Sequence, residues 1–385
     1  MTSVYLDYAA GAPLRPAAAR VLADVLASGA GNPSSVHWAG ARARALLEAA
    51  REEVAAAIGA RAPEVLFTSG ATEANNLALA GVAAAAERRL RIAVPASEHA
   101  SVLRTAQALA RAGHDVTVLP VDAHGRTNSD AVVAAAPDLL SVALVNAETG
   151  VVQDCAALAA AARRSGARVH VDAAQAAAVM PLDVAALDCD LLTLSAHKVG
   201  GPKGIGAVVL ADGVLGLEPL LRGGGQEFGH RAGTEDVAGI AGFGAAVKAA
   251  MAALEGETIR LEGLRNRLEK GLREAADAIV FSRDVPRLPN TALFTVPGLK
   301  AETAVIGFDL AGVAVSSGSA CSSGKVQPSH VLQAMGFGPE IAQGAVRLSL
   351  GWSTTEADID SCLEAWRKLA STLLKGSDET QLERF

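Results

Sequence analysis

Lys198 stands just beyond the apolar run "LLTLSA" and opens the glycine-rich stretch "VGGPKGIG". Glycine lets backbone approach a ligand closely, so an amine placed there can reach a bound group. Other apolar runs also end in polar residues. "VLFTS" leads into Gly70, Ala71 and Thr72, "RIAVPAS" into Glu98 and His99, and "LLSVALVN" ends on Asn146. "ARVHVDAAQ" delivers Asp172 and Gln175, and "LLTLSAHK" delivers Ser195 and His197 together with the lysine. Free amides and a hydroxyl opening a helix at residues 70–72 make an anion site. A carboxylate can hold a pyridine nitrogen protonated, an imidazole can stack on a ring, and a lysine can form a Schiff base. These residue types together fit pyridoxal phosphate. Each has a plainer reading when taken singly: Asp172 and Thr72 as helix caps, His99 as a surface histidine, Lys198 as a solvated side chain beside a turn. The plainer readings do not explain why all of them fall at strand ends. "GPKGIG" lacks the GxGxxG spacing of a dinucleotide fold and no GxxxxGK[ST] occurs, so nicotinamide and nucleoside triphosphate fit less well.

The elements that must position these groups are legible as alternating periods. Ala-, Leu- and charge-rich stretches such as "ARARALLEAAREEVAAAIG", "ASVLRTAQALARAG" and "CAALAAAARRSG" read as helices. Between them "VLFTS", "RIAVP", "LLSVALVN", "ARVHVD", "LLTLSA" and "GAVVLA" read as buried strands. This alternation predicts a doubly wound α/β domain with a mostly parallel sheet, in which ligands bind beyond the carboxyl ends of the strands. From about Met251 a long charged helical stretch is followed by "NTALFTVP", a Gly/Ser-rich loop, "VRLSLG" and a terminal helix. The expected division is a large domain over residues 13–250 and a smaller α+β domain formed by residues 1–12 and 251–385.

The 385 residues carry 50% hydrophobic residues but only 3% aromatics, so Ala, Val and Leu must fill the core. A formal charge of −7 gives no general attraction to nucleic acid or to anionic membranes. The opening "MTSVYLDYAAGAP" shows no basic segment followed by an apolar one, and no uncharged run approaches the roughly 18 residues that span a bilayer. A cytoplasmic protein is expected. The four cysteines, Cys155, Cys189, Cys321 and Cys362, form no short metal-ligand spacing, so neither zinc nor any other metal is expected. In a reducing compartment they read as small hydrophobes. That suits Cys155 and Cys362, which lie in helix-like runs. It suits Cys321 poorly, since "SSGSACSSG" surrounds it with small residues and nothing large and apolar.

Taken in order along nearly the whole chain, "TSGATEANN", "NAETG", "VDAAQ", "SAHKVGGPKGIG", "GGGQEFGHRAGT" and "SSGSACSSG" followed by "PSHVLQAMG" resemble the NifS/IscS-type cysteine desulfurases of the class V aminotransferase superfamily. The long cysteine loop is similar to that of the group I enzymes. The resemblance implies the type I fold of pyridoxal phosphate-dependent transferases, a homodimer, and L-cysteine as substrate. Its sulfur would pass to Cys321 as a persulfide, with alanine released, and then to an acceptor such as an iron–sulfur scaffold. It further implies that Lys198 carries the cofactor and moves the Cα proton, that Asp172 pairs with the pyridine nitrogen, and that His99 stacks on the ring and assists proton transfer. Gln175 would bond the phenolic oxygen. Gly70, Ala71, Thr72, Ser195 and His197 would cradle the phosphate, joined by Thr234 of the partner subunit. Asn146 and Arg347 would hold the substrate carboxylate, with Asn32 and His37 of "GNPSSVH" near the site. Phe228 departs from the family, where many relatives carry a basic residue. Two alternatives remain: another enzyme of the superfamily, such as an aminotransferase or selenocysteine lyase, and a non-catalytic sulfur carrier.

Overall fold

The computed structural model describes residues 3–211, 216–318 and 327–373. Its main sheet is built from β2 (Val65–Thr68), β3 (Arg91–Pro95), β4 (Asp115–Leu119), β5 (Leu139–Ala143), β6 (Arg168–Asp172), β7 (Leu191–Ser195) and β8 (Gly206–Leu210); β1 (Val4–Tyr5) lies elsewhere. The spatial order is β2-β8-β7-β6-β5-β3-β4. β8 is antiparallel to both its neighbours, while the remaining pairs are parallel. β7 and β8 are buried along their whole length. Both faces of such strands are covered by helices, so a continuous apolar run rather than an alternating one is required.

The covering helices are α1 (Pro16–Ala27), α2 (Trp38–Ala56), α3 (Ala71–Asn76), α4 (Val82–Ala85), α5 (Ala100–Arg111), α6 (Ser129–Ala135), α7 (Cys155–Arg163) and the first half of α8 (Val237–Ala276). A π-turn over Leu77–Gly81 joins α3 to α4. One face of the sheet packs a core that includes Leu47, Val54, Val142, Val171 and Phe243; the other packs Leu66, Leu77, Ile92, Val94 and Val208. With so few aromatics the helices must approach closely. A Cβ on Gly244 of α8 would lie 2.8 Å from the Cα of Ala50 on α2, so glycine is required at that crossing.

A second, antiparallel sheet has the order β12-β13-β10-β9, from β9 (Ile279–Val280), β10 (Thr291–Thr295), β12 (Ser316–Ser317) and β13 (Val346–Ser349). Beside it β11 (Val313–Ala314) pairs in parallel with β1. Here α9 (Ala301–Leu310), α12 (Glu356–Leu373) and the second half of α8 enclose a separate core around Phe294, Phe308 and Trp366, to which Val4 and Leu6 contribute. The short helices α10 (His330–Ala334) and α11 (Pro339–Gln343) complete this part. α8 serves both cores: Phe243, Val247 and Ala250 belong to the first, and Leu261, Leu264, Leu268 and Leu272 to the second. Among the described residues it is the one helix long and apolar enough to cross a membrane, and 61% of that apolar window is buried inside the protein.

Candidate active site

The carboxyl ends of β6 and β7 carry the central groups. Asp172 ends β6 and is buried; its Oδ1 accepts the Ala174 N–H at 2.9 Å and its Oδ2 accepts Nδ2 of Asn75 at 2.7 Å. Ser195 ends β7 and passes directly into the 3-10 turn Ala196–Lys198. Ser195 Oγ lies 2.8 Å from Nδ1 of His197. Burial first, then the charges of Lys198 and Lys203, push the His197 imidazole down to about 4, so it is neutral at physiological pH. Lys198 Nζ donates to the carbonyls of Ala9 and, at 3.2 Å, Ala10. Gln175 Nε2 donates to the same Ala9 carbonyl at 3.0 Å.

The N-terminal segment is therefore the seam of the site. Its Ala12 N–H bonds the His197 carbonyl at 2.8 Å on one side, and its Ala9 N–H bonds Ser349 Oγ of β13 at 2.9 Å on the other. From β13 Arg347 reaches the same seam. Its Nη2 pairs with Oδ1 of Asp7 at 2.9 Å, its Nη1 donates to the Ala147 carbonyl at 2.9 Å, and its buried Nε has no partner among the described residues. His99 caps α5, with Nδ1 accepting the Ser101 N–H at 3.1 Å.

The helix that begins with Ala71 starts from Gly70, whose φ of +150° favours glycine. A Cβ on Gly206 of β8 would sit 2.6 Å from the Gly70 Cα, so this second glycine lets the loop lie flat on the sheet. The first turn of a helix leaves amides without intrahelical partners, and the exposed Thr72 stands among them. Anion-binding amides, two hydroxyls, a neutral imidazole, a buried carboxylate and a lysine are the donor set that pyridoxal phosphate requires, and they occur here at adjacent strand ends.

Other predicted residues lie differently. Asn146 is buried with its amide committed to its own turn: Oδ1 accepts the Glu148 N–H at 3.0 Å, the Thr149 N–H at 2.9 Å and the Thr149 hydroxyl at 3.2 Å, while Nδ2 donates to the Ser97 carbonyl at 3.0 Å. The Oδ1 bonds shape the turn whose Ala147 carbonyl accepts from Arg347, and the Nδ2 bond ties that turn to the loop after β3. Asn32 and His37 are exposed and act locally, bonding the N–H groups of Ser34 at 2.8 Å and Gly40 at 3.3 Å. Thr234 is exposed in the loop before α8, where Arg231 pairs with Glu73 of α3 at 3.0 Å. Phe228 lies on the guanidinium of Arg51, 5.2 Å from its ring centre, with φ +56°. Cys321 lies outside the described residues.

Two buried groups carry no signal in the linear sequence. Glu148, in "NAETG", receives the hydroxyl of Ser329, and its Oε1 lies 4.0 Å from Nδ1 of His330. Burial pushes its carboxyl up to about 7, against the opposing pull of Ser329 and of the charge on Arg347. Asn75, on α3, joins Asp172 to α5. Cys155, Cys189 and Cys362 are all buried, and burial raises each thiol well above its ordinary value. Among the described residues no cluster of His, Cys, Asp and Glu is arranged to hold a metal.

Residues 4–362 match the aminotransferase class-V family. A cysteine desulfurase of Cereibacter sphaeroides is 44% identical over 371 residues, covering 94% of this chain and 95% of that protein. The chain belongs to the cysteine desulfurases of the class-V aminotransferase family. Among solved structures, a NifS-like protein superposes with a TM-score of 0.90 at 33% identity, covering 97% of this chain and all of its own. A structure described as SspA in complex with cysteine gives a TM-score of 0.81 at 32% identity, covering 90% of this chain and 99% of that one. Pyridoxal phosphate is the cofactor of this family, and the α/β fold with its mostly parallel sheet is the family's fold.

Proposed function

We propose that this chain takes the sulfur of L-cysteine onto Cys321 as a persulfide and releases L-alanine. The observation that carries the reading is the convergence of Lys198 and Gln175 from the large sheet with Arg347 from the small one on a single N-terminal seam, with Asp172 buried at the end of β6, three residues before Gln175. Pyridoxal phosphate supplies an electrophilic carbon for amines and a protonated ring that withdraws electrons from a substrate Cα. Asp172, oriented by Asn75 and the Ala174 N–H, would hold the proton on the ring nitrogen. Neutral His197 with Ser195, Thr72 and the amides of residues 70–72 would take the phosphate, and Gln175 the phenolic oxygen. Lys198 would hold the cofactor through its amine and move the Cα proton, and His99 would lie against the ring. Arg347 exchanges Asp7 for the substrate carboxylate, a partner its planar fork suits. Asn146 supports this exchange through the turn that presents the Ala147 carbonyl.

In the sulfur step the Cys321 thiolate forms an S–S bond to the substrate sulfur while the Cβ–S bond breaks. Its electron pair stays with the three-carbon fragment, which is protonated and leaves as alanine. Thiol plus cysteine gives persulfide plus alanine, and no oxidant or reductant is needed. Serine and glycine around Cys321 suit a thiol that must visit the site and then meet an acceptor. The reading includes a homodimer in which Thr234 of the partner subunit joins the phosphate site, an acceptor protein such as an iron–sulfur scaffold, and a cytoplasmic setting. It also takes residues 13–250 as the cofactor domain and residues 1–12 with 251–385 as the smaller one. The two cores sharing α8 support that division.

Mass spectrometry after one turnover with L-cysteine tests the reading. One added sulfur atom is expected on the Cys321 peptide of the wild-type enzyme. Cys321→Ser should keep the cofactor but give no persulfide, because a serine hydroxyl stays protonated near neutral pH whereas a thiol ordinarily titrates near about 8.5. Sulfur on another cysteine, or wild-type alanine release by Cys321→Ser, overturns it.

A further inference from the structure

Asn75 is 1% exposed, sits on α3 and makes bonds to three other elements at once. Its Oδ1 accepts the hydroxyl of Thr193 on β7 at 2.6 Å. Its Nδ2 donates to Oδ2 of Asp172 on β6 at 2.7 Å and to Oγ of Ser101 on α5 at 2.9 Å. Ser101 Oγ in turn lies 2.7 Å from Nδ1 of His99. The side chains of Asp172, Asn75, Ser101 and His99 form a continuous path from the carboxylate that ends β6 to the imidazole that caps α5.

The direction of each bond in that path is determined by its ends. An ionised carboxylate only accepts, so the atom of Asn75 facing Asp172 is nitrogen, and the oxygen must take the Thr193 hydroxyl. At the other end the Ser101 backbone N–H points at His99 Nδ1, which must therefore accept. The Ser101 hydroxyl, receiving from Asn75, gives its own proton to the same nitrogen. A neutral imidazole with an accepting Nδ1 carries its proton on Nε2.

We infer that Asn75 is a positioning residue that couples Asp172 to His99, fixing the carboxylate's orientation and holding the imidazole neutral with its proton on Nε2. The consequence for the reaction rests on the desulfurase reading: His99 begins each turnover able to give a proton from Nε2, not to take one there. The coupling itself does not depend on that reading. It also explains an asparagine within a helix, where this side chain is otherwise a poor choice.

The test uses the holoenzyme with nitrogen-15-labelled histidine, the His99 signal being identified by its loss in His99→Gln. The wild-type enzyme should show the Nε2–H form across neutral pH. Asn75→Ala should bring in the Nδ1–H or doubly protonated form. It should also move the pH midpoint of the cofactor's visible absorbance by roughly tenfold in proton affinity, the worth of one hydrogen bond to a charged group. Its KM for L-cysteine should stay near wild type while kcat falls. Should Asn75→Ala fail to fold, Thr193→Val carries the test, since it keeps Asn75 but releases the bond that orients its amide; a smaller change in the same two signals is expected. An Nδ1–H form in the wild-type enzyme, or a variant that folds with both signals unmoved, overturns the inference. A missing persulfide on Cys321 with the His99 signals as expected would overturn the sulfur chemistry and leave the coupling standing.

Discussion

Replacing Glu148 by Gln should make the protein more stable at alkaline pH and leave it nearly unchanged at acid pH. The carboxyl is buried among Ser329, Arg347, His99 and His330, and burial raises it from an ordinary 4.5 to about 7. A group raised on folding favours its protonated form in the native state. Its contribution is fully present below about 4.5 and is lost as pH climbs through 7. A tenfold change in proton affinity is worth about 1.4 kcal/mol, so the full loss is on the order of 3 kcal/mol, of which roughly 2.5 falls between about pH 5 and 8.5. Glutamine is the apt substitution because its amide oxygen can still accept the Ser329 hydroxyl and it never ionises. Glu98 and His170 also titrate away from their ordinary ranges on burial, but they are common to both proteins and cancel in the difference. Urea unfolding of wild type and Glu148→Gln at about pH 5, 7 and 8.5 measures it. The stability gap should widen with pH in favour of the variant. A gap constant to within about 1 kcal/mol over that range refutes the reasoning.

Arg347→Ala should raise the KM for L-cysteine by roughly tenfold to a hundredfold, the worth of a charge-assisted pair, with little change in cofactor affinity; steady-state kinetics beside a cofactor titration separates the two, and an unchanged KM removes Arg347 from the substrate site. Asp172→Ala should slow exchange of the substrate Cα proton with solvent deuterium by orders of magnitude, since the ring nitrogen loses its counter-charge; near-normal exchange contradicts the role. Glu227→Ala should cost about 2–4 kcal/mol, because it removes two of the four bonds of the buried Arg51 guanidinium, those of 2.8 and 3.0 Å, leaving it the Val65 carbonyl and the half-exposed Glu48, and strips the Phe67 N–H of its acceptor. Denaturant midpoints report it, and a loss below about 1 kcal/mol counts against the account.

Strand ends are readable because burial on both faces writes "LLTLS" and "LLSVA" as nearly unbroken apolar runs, and "RVHVD" with a single buried histidine between its valines, so that the polar residues after each run must lie at the sheet's rim. Asp172, Lys198 and His99 are legible in that way. Asn75 is not, because it lies within a helix and its importance comes from three partners distant in sequence. Glu148 is hidden for a related reason: "NAETG" reads as a polar turn, and only the packing of Ser329 and Arg347 over it turns a turn residue into a buried acid. Asn146 shows the opposite difficulty. Its position at a strand end suggests a ligand-facing amide, yet an asparagine opening a tight turn is drawn into bonding the backbone two and three residues on. The role of Ala9 and Ala10 has no signal at all, because what Lys198 uses is their carbonyls, which every residue possesses.

The forty residues of α8 give the two cores a common beam of about 60 Å. Its buried positions stop at Ala250 and resume at Leu261, so residues 251–260 bridge the cores with no fully buried side chain. Gly256 lies in the middle of that span, with nothing within 4 Å of where its Cβ would be. Polar bonds take over there: Glu257 receives both terminal nitrogens of Arg15, and Arg260 donates to the carbonyls of Gly351, Trp352 and Thr354. The angle at which this helix carries the smaller core is therefore held by ion pairs and carbonyl bonds rather than by apolar packing.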